Sequence, residues 1–295
     1  LKQKQKDEIR KAIEKYKPES ILILGTSDGM VNKIAANIGL PPIEKIIYID
    51  EIATPEEIQE VMDKYKIKKN LFPGKISSAE YISYLSSCGI EIGKGTHFFD
   101  PQSTTIDIQR PWMLHIGQYC KITSGVTILC HDYSRSVLRR VYGEVIGEAC
   151  DTFIGDNVFI GIGSTVCMGS NIGNNVIIGA GSVVSGKIPS NTVYAGVPAR
   201  LICTLDEYYE KRKNKTVNEA KLYAKRFHEK YGRYPTEKEM GPFWQLFMPR
   251  NVQSVREKFI FTQLSGDNGE EILRDFMKTE SKFSSYEEFI KYIDE

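Results

Sequence analysis

Between Ile154 and Val184 an aliphatic residue recurs at every sixth position: Ile154, Ile160, Val166, Ile172, Ile178 and Val184. The same spacing links Ile116, Ile122 and Ile128. A helix needs apolar positions three and four residues apart, and a half-buried strand needs strict alternation, so a sustained period of six fits neither. Short strands joined by regular turns do fit. Gly follows the beat residue at Gly117, Gly155, Gly161, Gly173 and Gly179, and a small or β-branched residue stands four places after it at Cys120, Val126, Val158, Ser164, Ser170, Val176 and Ser182. This hexapeptide pattern predicts a prism-shaped, left-handed parallel β-helix with three hexapeptides per coil. Ile154 then stacks on Ile172, Ile160 on Ile178 and Val166 on Val184. Gly155-Asp156-Asn157 and Gly173-Asn174-Asn175 are expected at corners, where these residue types tolerate positive φ. A single coil does not support itself, so capped ends and a face covered by another subunit are expected.

The chain of 295 residues reads as three regions. Residues 1–88 have an α/β pattern: a charged helix over 7–16, strands Ile21–Leu24 and Ile46–Ile49 with a helix between them around 31–38, and a helix over 55–65 capped by Thr54. The β-helix occupies residues 89–203. Residues 204–295 shift to Lys, Glu and aromatic residues and read as amphipathic helices forming a cap. The turn Gly25-Thr26-Ser27-Asp28-Gly29 lacks the GxGxxG spacing and carries an acid that would repel phosphate, which favours a plain βα turn. The fold class is therefore mainly β, with an α/β segment before the prism and helices after it.

A net charge of +1 gives no reason to expect nucleic acid or an anionic membrane as the main partner. No stretch approaches the ~20 apolar residues of a membrane span. No signal peptide is read, although a chain beginning at Leu1 leaves room for a preceding segment. Six cysteines without a CxxC pair suggest reduced thiols in a cytoplasmic protein and no metal site.

Function is expected where the beat breaks. Ile128 and Ile154 lie 26 positions apart, which is not a multiple of six, and the excess begins at Cys130-His131-Asp132-Tyr133-Ser134-Arg135. Insertions in a solenoid leave on one face and often build its binding site. His131, at the exit of this loop, is expected to be rigidly held yet accessible, as a general base must be. A second break between His97 and Leu114 contains Phe98-Phe99-Asp100-Pro101 and Asp107-Ile108-Gln109-Arg110-Pro111-Trp112. This mixture of aromatic faces and charged tips suits a sugar, although Asp100 and Asp107 could equally cap turns.

The blocks Ile116-Gly117 through Ile128, His131, Ile154 to Gly161, Gly179 to Val184 and Ala195-Gly196-Val197-Pro198-Ala199-Arg200 together resemble the hexapeptide-repeat acyltransferases, in particular the maltose- and galactoside-type sugar O-acetyltransferases. The resemblance covers residues 90–203. It implies acetyl-CoA as co-substrate, a homotrimer with active sites between subunits, a sugar or saccharide acceptor, and His131 as the base that deprotonates it. By the same resemblance a main-chain N–H near Gly161-Ile162 of the adjacent subunit serves the oxyanion, Ala180 and Gly181 border the pantetheine arm, and Ser185, Lys187 and Arg200 meet the CoA phosphates. After the Val-Val strand the family commonly has Thr-Lys, whereas this chain has Ser185-Gly186 with Lys187 one place later. Asp100 roughly matches the family's acceptor-contacting position, and Phe159 a large aromatic near the acyl group.

Asp132 suits a structural loop role, with Glu144 or Glu148 left to orient the His131 ring. His115 is expected on the surface, and His97 is a weaker active-site candidate. A γ-type carbonic anhydrase on the same prism would need three converging His ligands, which four histidines without a close pair on the coils do not supply. Two alternatives stay open: N-acetylation of a nucleotide-linked amino sugar, and a non-catalytic trimeric scaffold.

Overall fold

The computed structural model describes residues 21–24, 46–49, 74–258 and 267–294. The chain divides into two compact units, residues 1–68 and 69–295. In the first, β1 (Ile21–Leu24) and β2 (Ile46–Ile49) pair in parallel with Ile21 opposite Ile46, as expected of two apolar runs joined by a crossover. The helices expected over 7–16, 31–38 and 55–65, and the Gly25–Gly29 turn, lie outside the described residues.

The second unit opens with α1 (Ser78–Ser87), whose N-cap Ser77 accepts the Glu80 N–H. Its Tyr81 and Leu85 are buried in one cluster with Ile90 and Phe98 and close the first end of the prism. The helix thus belongs with the prism core, although the sequence reading had drawn the boundary after it, at residue 88.

Three parallel sheets form the prism walls. The first contains β3 (Glu91–Ile92), β6 (Leu114–Ile116), β9 (Thr152–Ile154), β12 (Asn171–Ile172) and β15 (Lys187–Ile188). The second contains β4 (His97–Phe98), β7 (Lys121–Ile122), β10 (Val158–Ile160), β13 (Val176–Ile178) and β16 (Thr192–Ala195), with β17 (Arg200–Thr204) added antiparallel at its end. The third contains β5 (Thr105–Ile106), β8 (Thr127–Ile128), β11 (Thr165–Val166) and β14 (Val183–Val184). The register follows the period: Ile154 lies opposite Ile172, Ile160 opposite Ile178 and Val166 opposite Val184.

Inside the prism Ile122, Ile160 and Ile178 form one fully buried ladder. Because each rung is gripped by hydrogen-bonded coils above and below, an Ile160→Ala cavity has little room to collapse. The expected loss is about 2–5 kcal/mol, read from the midpoint of urea unfolding; a loss below about 1 kcal/mol would contradict rigid stacking.

Corner chemistry divides differently from the expectation. Positive φ falls on Asn157 (55°) and Asn175 (57°) and on neither Gly155 nor Gly173. Glycine after the beat residue answers to crowding instead: a Cβ on Gly161 would stand 2.4 Å from the Ala180 nitrogen of the next coil.

Beyond β17 the chain turns helical, as the composition predicts. The helix α3 (Leu205–Tyr231) starts at a reciprocal Thr204–Glu207 capping box and ends at Gly232. Its Ala220 and Ala224 pack with Met240, Phe247, Phe289 and Ile293 in a core separate from that of the prism. The remaining helical elements are the 3₁₀ stretch Lys238–Leu246, α4 (Val252–Lys258), α5 (Gly269–Met277) and α6 (Tyr286–Asp294). An ion pair of 2.9 Å between Lys121 on β7 and Asp267 ties this region to the second sheet. No helix among the described residues is long and apolar enough to cross a membrane.

Candidate active site

Ile116 lies opposite Ile154, 38 positions away, where Ile154 and Ile172 are 18 apart. The difference, 20 residues, leaves the prism after β8 and returns at β9 without disturbing the stack. Up to the point of departure the backbone is fixed: the Leu129 N–H donates to Val166 O at 3.0 Å and Cys130 is fully buried. His131 is the first residue outside, half-buried, with Nδ1 against Oδ2 of Asp107. Asp107 gets there because Ile106 pairs with Ile128, so the ends of β5 and β8 lie side by side.

The Asp107 carboxylate is nearly closed to solvent, with its side chain 3% exposed. One oxygen accepts the Gln109 N–H at 2.9 Å; the other accepts the Cys130 N–H at 3.0 Å and faces the His131 ring. Burial alone would raise this carboxyl, but hydrogen bonds from the Gln109 N–H, the Cys130 thiol and N–H, and the imidazole outweigh it and hold the group at about 2. Asp107 is thus an anion at any neutral pH. An anion at Nδ1 keeps the ring proton there and leaves Nε2 as the basic nitrogen, which has no partner among the described residues. Tyr133 stands edge-on to the imidazole, centroids 4.9 Å apart, and its hydroxyl donates to Gln109 Oε1 at 3.1 Å.

Two expected roles change. Asp107, expected among acceptor-binding residues, is buried with both oxygens occupied, one of them against the His131 ring. Glu148, a candidate to orient that ring, pairs instead with Arg135 Nη1 at 2.9 Å, and Glu144 is exposed. Asp132 caps the Ser134 N–H, a structural loop role. His115 pairs with Glu91 on the surface at 3.3 Å. His97 lies on β4 of the second sheet, away from the edge where His131 stands.

Donor atoms of Asp107, Cys130 and His131 all lie within 4.8 Å of one another, a set that could in principle hold a metal ion. Burial and the neighbouring Asp107 push the Cys130 thiol up to about 11.

The remaining candidates divide between two edges of the third sheet. Arg110 joins the His131 edge, donating to Glu148 O at 3.0 Å, a contact that occupies it with the protein's own loop. Trp112 lies in the 3₁₀ turn Pro111–Met113 and is exposed. Ser185 and Lys187 follow β14 around this same edge two coils further along.

Ile162, Ala180 and Gly181 stand on the opposite edge: Gly163 N donates to Ser124 O at 2.9 Å and Gly181 N to Ile162 O at 2.7 Å. Gly181, at φ 67°, faces open space. Of the two residues expected to offer an oxyanion donor, Gly161 spends its N–H on Ile178 O at 2.9 Å, while the Ile162 N–H has no partner among the described residues. Asp100 belongs to this edge as well, accepting from Ser103 and Ser124 hydroxyls at 2.7 and 2.8 Å, which hold its carboxyl below the usual range.

Arg200 opens β17 at the end of the stack, its guanidinium donating to Ala199 O at 3.0 Å. Phe159 points outward from the second sheet into a groove of about 400 Å³ that also touches Lys121, Ile177, Leu205 and Tyr208, but none of the residues around His131. One chain therefore does not gather the expected CoA contacts into a single groove: Gly161, Ile162, Ala180 and Gly181 are separated from Ser185, Lys187 and from His131 by the width of the sheet.

Residues 151–186 match the family described as bacterial transferase hexapeptide (six repeats). Protein CapG of Staphylococcus aureus is 35% identical over 164 residues, 53% of this chain and 89% of that protein. A putative acetyltransferase, YvoF of Bacillus subtilis, is 31% identical over 130 residues, 44% of this chain and 69% of that protein. Among solved structures, a maltose O-acetyltransferase from Clostridium difficile is 27% identical with a TM-score of 0.36, covering 50% of this chain and 88% of that one. The chain belongs to the bacterial hexapeptide-repeat transferases and is an acetyltransferase.

Proposed function

We propose that the protein transfers the acetyl group of acetyl-CoA to a hydroxyl of a sugar or surface-polysaccharide building block, with His131 as general base and Asp107 holding its ring. The observation that carries this reading is the buried Asp107 carboxylate on Nδ1 of His131, at the point where 20 inserted residues leave the prism. Bound acetyl-CoA would supply the activated thioester. Nε2 takes the acceptor's hydroxyl proton as its oxygen attacks the thioester carbonyl, and Asp107 stabilises the imidazolium that results. The Ile162 N–H is the main-chain donor available for the oxyanion. His131 returns its proton to the departing CoA sulfur, leaving the ring neutral for the next cycle.

Since His131 and the Ile162–Gly181 edge stand on opposite edges of one sheet, a working site requires the glycine edge of a second copy. That supports the homotrimer. The exposed Ile162, with 62% of its surface accessible, is then an interface residue rather than a solvent-facing one. One alternative acceptor is a nucleotide-linked amino sugar.

The test is thiol release from acetyl-CoA against free sugars, saccharide fragments and nucleotide-linked amino sugars. Release with a hydroxyl acceptor is expected. Release only with amino sugars would move the reaction to N-acetylation, and absence of CoA binding would return the chain to a scaffold role. In the same assay Ala180→Trp should weaken CoA binding by roughly 10-fold or more, and unchanged affinity would overturn the placement of CoA along this edge.

A further inference from the structure

The 20-residue excursion lacks a core. Among residues 132–150 only Arg135 and Glu148 escape full exposure; every other residue, including the apolar Val137, Val141 and Val145, is exposed. The helix α2 (Arg135–Tyr142) buries no residue. Within one chain, therefore, polar contacts and not apolar burial fix the course of this loop.

Those contacts converge on Glu148. Its carboxylate takes Arg135 Nη1 at 2.9 Å, and its carbonyl takes Arg110 Nη1 at 3.0 Å. Arg135 also donates to Asp132 O at 2.8 Å, and its guanidinium lies 5.3 Å from the centre of the Tyr133 ring, which in turn packs on His131. Glu148 thereby joins the outgoing limb of the excursion, its returning limb and the 107–112 segment beside the base. Side-chain exposures of 29% for Arg135 and 23% for Glu148 place the pair where water screens it only partly.

We infer that Glu148 is a positioning residue for the acceptor: its side chain and carbonyl clasp the excursion shut against Arg110, so that the wall beside His131 keeps one shape. This rests on the reading of His131 as the base. The clasp touches Arg110, Asp132 and Arg135 and none of Ile162, Ala180, Gly181, Ser185 and Lys187, so losing it should affect the acceptor and spare CoA.

Two measurements test this. Hydrogen–deuterium exchange over residues 132–150 needs no acceptor; Glu148→Ala should raise it about 10-fold, Glu148→Gln less, and the exposed control Glu144→Gln not at all. In steady-state kinetics with the acceptor found active, Glu148→Ala should raise the acceptor KM by about 10-fold while kcat changes less than about threefold and CoA affinity stays at the wild-type value. Wild-type exchange in Glu148→Ala would overturn the clasp, as would CoA affinity falling in parallel with the acceptor effect. Failure of the base assignment would show instead as full turnover in a His131 variant, with the exchange result untouched.

Discussion

His131→Ala should retain the stacked prism and CoA binding while losing on the order of 10²–10⁴ in turnover. The fold should survive because His131 is the first residue outside the coils: the ladder bonds end at Leu129, and the side chain contributes nothing to the interior. Turnover should fall because no other imidazole stands at this edge; His115 is held at Glu91 on the first sheet and His97 lies on the second. Turnover within a few-fold of wild type would leave the acceptor to be deprotonated by something else and would remove the main support for the proposed chemistry.

Asp107→Asn should be nearly as damaging, by about 10² or more in turnover, with little change in acceptor KM. One oxygen, Oδ2, serves both the Cys130 N–H and the ring, so the amide oxygen kept there turns its NH₂ group against the Gln109 N–H, two donors face to face, and in either orientation the negative charge beside His131 is gone. The imidazolium formed when Nε2 takes the acceptor's proton then lacks its counter-charge, and the step that forms it slows. Stability should respond to pH in a definite direction. The Asp107 carboxyl is depressed to about 2 in the folded protein, so its stabilising contribution is complete above the unfolded value near ~4 and disappears as pH falls from there toward 2. Urea titrations of wild type and variant should therefore converge across that acidic window, while remaining apart at neutral pH. Equal turnover, or curves that stay parallel down to pH 2, would contradict the assignment.

The stacking register was legible in the sequence because a ladder of identical contacts repeats itself: Ile154, Ile160 and Val166 each met their predicted partners. The position of His131 was legible for the opposite reason, as the place where repetition stops. The identity of its orienting partner was not, because Asp107 lies 24 positions upstream, in a coil whose own irregularity obscures its alignment. The signal existed nonetheless: treating Ile106 as a beat residue and pairing it with Ile128 places Asp107 beside the departing chain. The division of the expected CoA contacts follows from the same arithmetic. Ala180 is 18 residues after Ile162 and so shares its edge, whereas Ser185 has already turned the next corner. Corner glycines were misread because the sequence does not distinguish a residue chosen for its backbone angle from one chosen for the absence of a side chain against the coil above.

An insertion that leaves the register of the coils unchanged and buries nothing of its own separates two inheritances in one chain. The coils hold the ladder contacts, and a mutation there is felt along the whole stack; the inserted wall buries nothing within the chain, so its length and composition can drift with little effect on whether the prism folds. A descendant could exchange residues 132–150 for another wall, acquire a new acceptor, and keep the same oriented imidazole. Diversification of acceptor choice in such a chain would then be limited by the geometry of the clasp rather than by the stability of the fold.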